Sequence, residues 1–168
     1  MNLGLSAQEQ ERQWPFAGGD MAEVIRAHTW AETSLGPVER WPASLRTSVD
    51  LMLGCGFPAT LQWGEELVLF YNDAYISLIG ARHPQALGRP IMETFPEIAE
   101  TYGPLVERVK RGERVILHDI HYRYTRRDQA EDLWFDMSYS PVYDAEGSVA
   151  GVLAIGLDTT ARVLAERA

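Results

Sequence analysis

The residues able to do chemistry are few and scattered. His118 and His121 lie in the run RVILHDIHYRY at 114–124. Side chains alternate faces along a strand, so positions three apart point to opposite sides and cannot share a metal ion. His118 then shares a face with Ile116, Ile120 and Tyr122, which predicts a hydrogen-bonded structural histidine. His83, in ARHPQ, has no acidic neighbour. Asp119 or Asp136 with Tyr122 would suit a small cone-shaped isomerase or hydrolase only if a buried carboxylate of raised pKa met the tyrosine in an open cavity. Cys55 is the single cysteine, so no internal disulfide forms, and it reads as small apolar filler. There is no GxxxxGK[ST] loop, HExxH pair, CxxC or GxSxG in the sequence. No catalytic residue and no metal site is assigned.

The elements that position these residues follow from periodicity and turn chemistry. Residues 1–18 are polar and end in Pro15 and the Gly18–Gly19 pair, which predicts a loose tail. Asp20 is placed to cap a short helix through His28, and Ser44 opens a second, with Leu45, Val49, Met52 and Leu53 at helical spacing. From Phe57 the pattern changes. PATLQW and ELVLFYN form a hairpin around Gly64–Glu65, DAYISLIG is helical, and ETYGPLVERVKRG gives a longer helix. Three long β-prone runs close the chain at 114–124, 133–143 and 148–158, separated by TRRDQAE and DAEG, before TTARVLAERA restarts a helix. Segregated helices beside an antiparallel sheet define an α+β fold. In the second of these runs Leu133, Phe135, Met137 and Tyr139 share one face. In the third, Val149, Gly151, Leu153, Ile155 and Leu157 share the larger apolar face, expected beneath the helices. The small-residue face with Ala150, Val152, Ala154 and Gly156 is left for the helical preface or a second protomer.

Composition narrows the partners. Apolar residues make up 46% and charged ones 23% of 168 residues, the balance of one globular domain. The formal charge of −9 argues against nucleic acid, and Arg123, Arg126 and Arg127 are too small a cluster to reverse it; they are expected on a solvated hairpin loop. No signal peptide is visible and no window approaches a membrane span, so the expected location is the cytoplasm, with no membrane insertion.

Several segments then carry a resemblance. LVLFYNDAYISLIG, HPQALGRPIMETFPEI and FDMSYSPVYDAEGSVAGVLAIGLDTTARVLAE, in that order and spacing within 57–168, resemble the PAS sensor-domain family. WAETSLGPVERWPASLRTSVDLML is similar to the helical segment preceding such domains in bacterial sensor histidine kinases. The resemblance implies a PAS-like five-stranded antiparallel sheet with short helices on one face. The expected divisions are a tail and helical extension at 1–56, a PAS core at 57–158 and the start of a signalling helix at 159–168.

The resemblance also sets functional expectations. A regulatory sensor and dimerisation domain of a two-component protein relays ligand or partner binding through its last helix to a downstream output domain. The nucleotide-binding and phospho-acceptor motifs of a kinase are absent, so any such activity is expected beyond Ala168, where the chain is expected to be cut. Homodimerisation is expected through the N-terminal or C-terminal helices, because an isolated helix this short is marginal in water. Leu61, Tyr71, Tyr75, His118 and Tyr139 are the candidates for a pocket between sheet and helices. Asn72, Asp158, Thr159 and Thr160 are the candidates for signal relay; Asn72 and Asp73 are also suited to cap the helix from Ala74. No cofactor is assigned, though an unknown small molecule is compatible. Haem is disfavoured because the long helix has no histidine, and flavin because ISLIGARHPQALG lacks the Asn-Cys-Arg-Phe core of flavin-binding relatives. A ligand-free protein–protein interaction module is the alternative.

Overall fold

The hairpin around Gly64 sets the sheet. β1 (Ala59–Trp63) and β2 (Val68–Tyr71) pair antiparallel with Leu61 opposite Phe70, and all nine residues are buried. The computed structural model describes residues 14–126 and 129–168. The tail expected over residues 1–13 and the loop position expected for Arg127 lie outside the described residues. β3 (Val115–Arg126), β4 (Gln129–Tyr143) and β5 (Val149–Asp158) complete one five-stranded sheet in the order β2-β1-β5-β4-β3. Every neighbouring pair is antiparallel. Most of TRRDQAE is therefore strand rather than loop, and Arg123 and Arg126 belong to β3.

Helices sit on both sides of the sheet, in separate groups. α1 (Asp20–Ala27) and α2 (Ala43–Leu53) precede it; α3 (Asp73–Ile79), α4 (Ile91–Thr94) and α5 (Ala99–Lys110) lie between β2 and β3; α6 (Thr160–Arg167) leaves its end. Cross-strand partners share a face, so the row Tyr71–Thr60–Ala154–Tyr139–Val115 runs along one side. Tyr102 of α5 packs on that side, its ring 5.8 Å from that of Tyr139.

The opposite side of β1 and β2 belongs to the N-terminal extension. Trp30 stacks on Phe70 at 5.0 Å, Trp41 meets the same ring edge-on at 5.7 Å, and Trp14 meets Trp41 at 5.5 Å. Such aromatic packing holds large apolar area out of water. The extension thus joins one continuous core with the sheet. Residues 14–18, expected in a loose tail, are fastened: Trp14 Nε1 donates to the Arg46 carbonyl, and the amides of Phe16 and Ala17 donate to Asp50 Oδ1 at 2.8 and 3.0 Å.

One expectation about β5 is reversed. Its small residues Val152 and Ala154 are buried on the α5 side, while Leu153 and Ile155 face the other way and Leu157 is exposed. The rings of Tyr102 and Tyr139 fill the layer under α5, so only small side chains fit beneath them, and close packing decides the face over side-chain size.

Candidate functional site

The α5 side of the sheet carries a buried cluster of tyrosines. Gln62, one residue pair along from Thr60, accepts a hydrogen bond from the Tyr102 hydroxyl and donates from Nε2 to Thr60 Oγ1 at 3.2 Å. Tyr122 and Tyr139 are neighbours on this face, close enough for each phenol to perturb the other. Tyr71 OH lies 2.8 Å from His83 Nδ1, and its ring is 5.8 Å from that of Tyr75 on α3. Burial pushes Tyr71 up to about 12, and burial likewise raises Tyr102, Tyr122 and Tyr139. All four are neutral phenols at physiological pH, hydrogen-bonding groups rather than bases or nucleophiles.

Of the five expected pocket residues, three meet here: Tyr71, Tyr75 and Tyr139. Leu61 pairs with Phe70 and Leu153 and so lies on the extension's side. His118 is 74% exposed on the same opposite face. Its displacement has a local cause. Leu117 opposes Met137 and Ile120 opposes Phe135, so His118 and Asp119 together face Asp136, a β-bulge with Asp119 at φ 49°. The extra residue resets the alternation, putting Leu117 and Tyr122 inward and leaving both His118 and His121 outward. Thr60, Gln62, Tyr102, Tyr122 and His83 were not singled out for the pocket. Polar Thr60 and Gln62 inside an otherwise apolar strand were the available signal.

The bulge aims Asp119 at the exit helix. Its amide donates to Asp136 Oδ1 at 2.9 Å, while its own Oδ1 accepts from Thr159 Oγ1 at 2.8 Å and from Arg162 Nη2 at 2.5 Å. Arg162 and Thr159 hold the Asp119 carboxyl below the usual aspartate range. Asp136 is lowered too, chiefly by the Asp119 amide. The carboxylates of the isomerase reading are therefore depressed rather than raised, and they face away from Tyr122. Trp134 completes the junction. Its carbonyl accepts from the Thr159 amide at 2.8 Å, its amide donates to Thr160 Oγ1 at 3.0 Å, and the Arg167 guanidinium lies 5.0 Å from its ring centroid. Asp158 accepts from the Thr160 amide at 2.9 Å, capping the first turn. His121 stacks on Trp134 and pairs with Asp132 at 2.8 Å.

Asn72 forms a second junction. It is buried, accepts from the amides of Ala59 and Tyr75 at 3.1 and 3.2 Å, and places Nδ2 within 3.3 Å of the Met52, Cys55 and Phe57 carbonyls. It fixes the end of α2, the start of β1 and the start of α3 at one point.

A family model described as the PAS fold matches residues 64–164. The chain belongs to the PAS fold family. Solved PAS-like structures agree on the fold. The PAS domain of Bordetella pertussis BvgS superposes with a TM-score of 0.54 at 23% identity, covering 73% of this chain and 92% of that one. Vibrio cholerae VqmA, a LuxR-type receptor, gives 0.52 at 20%, covering 69% and 52%. An RNA-binding light-oxygen-voltage receptor gives 0.51 at 22%, covering 78% and 38%. The chain thus spans about half of VqmA and less than half of the RNA-binding receptor. No curated protein sequence matches it. The PAS match opens at the β1–β2 turn, so β1 and the helical extension precede it. A PAS domain is a sensory, regulatory module, and here the tyrosine cluster and the α6 junction occupy opposite faces of β3 and β4. Among the described residues no helix is long and apolar enough to cross a membrane.

Proposed function

We propose that this PAS domain is a cytoplasmic, non-catalytic regulatory sensor within a bacterial signalling protein, a histidine kinase being the output that the helical extension favours. In this reading a small molecule seats among Tyr71, Tyr75, Tyr122 and Tyr139 and shifts β3, and α6 carries the change to an output domain. One observation carries it: β3 presents Tyr122 to the interior site and, three residues earlier, Asp119 to the exit helix. The two states need differ by only a few kcal/mol for such a relay to act. A second copy of the chain is the natural partner for exposed Leu51, Ile116, Leu157 and Leu164.

Native mass spectrometry of the chain purified from cells, followed by denaturing analysis of whatever it carries, tests this reading. A stoichiometric small molecule in a dimer supports it; an empty chain that also fails to take up candidate heterocycles contradicts the ligand. One observation favours the ligand-free interaction module. Tyr102 already donates to Gln62 and Tyr71 already pairs with His83, so a ligand must replace existing hydrogen bonds.

A further inference from the structure

Helix α1 is not capped by its own sequence. Its N-cap position is Gly19, at φ 106°, which has no side chain to accept a hydrogen bond. The free amides of the first turn find their acceptor 53 and 52 residues away. Asp73 Oδ2 accepts from the Asp20 amide at 3.1 Å, and Oδ1 accepts from the Met21 amide at 2.7 Å. Asp73 is also the first residue of α3, so one carboxylate lies at the positive ends of two helices. Glycine at 19 is required twice over. A Cβ there would collide with Asp73 Oδ2, and the backbone angle is one that other residues adopt at a cost.

The position of Asp73 in α3 gives this contact a consequence. Asn72, immediately before it, caps α3 through the Tyr75 amide, and Tyr75 packs on Tyr71 in the interior cluster. A displacement of α3 that follows a change around Tyr75 must therefore carry or break the cap on α1. Linkage makes the effect reciprocal: whatever moves the start of α1 alters the free energy of α3.

We propose that Asp73 couples α3 to α1, giving the interior site an outlet on the amino-terminal side of the domain in addition to α6. The coupling of the two helices stands on the Asp73 and Gly19 geometry alone; its use as an outlet rests on the sensor reading of the tyrosine cluster. Asp73 acts as a positioning residue.

Amide hydrogen exchange on the ligand-free full chain tests the coupling. D73A is expected to speed exchange across Asp20–Ala27 about tenfold, the effect of losing a helix cap, while β3, β4 and β5 stay protected. D73N keeps one acceptor oxygen, remains folded if D73A does not, and falls between. G19A sets a Cβ against Asp73 Oδ2 from the extension's side, and through that carboxylate it is expected to speed exchange across Tyr75–Ile79 of α3. Unchanged α3 exchange in G19A would reduce Asp73 to a simple cap and overturn the coupling. Equal acceleration everywhere in D73A overturns it as well, because the contact would then only stabilise the whole fold. A chain without any interior ligand removes the outlet and leaves these exchange results standing, so the two failures are distinguishable.

Discussion

The two ends of this chain are attached to the PAS core by opposite physics. The N-terminal extension is held by Trp14, Trp30 and Trp41, each at most 5% exposed, and by a buried asparagine. The exit helix is held by Arg162 and Asp119, 49% and 39% exposed, by hydroxyls of Thr159 and Thr160, and by Val163 as its one buried residue. Apolar burial is non-directional and resists salt and pH, whereas an exposed ion pair contributes little and is screened. The extension therefore behaves as part of the core, and the exit helix belongs to the low-stability end where switching elements are drawn.

Removing Trp30 gives the largest effect. Trp30→Ala empties space between Trp41, His28 and Phe70, with an expected loss of about 3–5 kcal/mol in urea unfolding. A loss near zero would mean that the extension is not core. Asn72→Ala comes next, at roughly 2–3 kcal/mol, because it strands the buried amide of Ala59 and carbonyls at the end of α2. Asp119→Ala reverses the pattern. Global stability is expected to stay nearly unchanged, while amide protection across Thr160–Arg167 collapses. If instead the whole domain loses several kcal/mol, the two junctions are alike and the comparison fails.

Acid sharpens the contrast with the smallest expected effect. Because the folded pKa of Asp119 is depressed, its stabilisation is complete above the ordinary aspartate value near 3.9 and is lost as pH falls through the lowered value. Helix α6 should detach in that acid window ahead of the extension. Amide protection across α2 is expected to persist while α6 amides lose theirs. Simultaneous loss of both contradicts the ordering.

Much of this arrangement was legible in the sequence. Hydrophobic alternation located all five strands, Gly64–Glu65 and DAEG marked two of their turns while most of TRRDQAE proved to be strand, and Asn72 before DAYISLIG marked a helix cap that the structure retains. Leu133, Phe135, Met137 and Tyr139 do face the helices, because nothing interrupts the parity of β4 there. Parity failed in β3, where the bulge at His118–Asp119 inserts a residue that no turn signal announces. Size failed in β5, where packing under Tyr102 and Tyr139 selected Val152 and Ala154 over Leu153 and Ile155. Asp73 was readable as a cap for its own helix, but its partners Asp20 and Met21 lie more than fifty residues away and only the fold brings them together. The tyrosine cluster was half visible: Tyr71, Tyr75 and Tyr139 were named, while Gln62 and Tyr102, which complete it, depend on how α5 crosses the sheet.

The link between the interior cluster and the exit helix is tested most directly by amide exchange in Tyr122→Phe, which removes one hydroxyl on the inner face of β3 and touches nothing on the outer face. The expected result is faster exchange at Thr159 and Val163, whose amides donate to the Trp134 and Thr159 carbonyls, with α2 unchanged. Unchanged exchange at both amides, in a variant shown to be folded, would contradict a relay through β3.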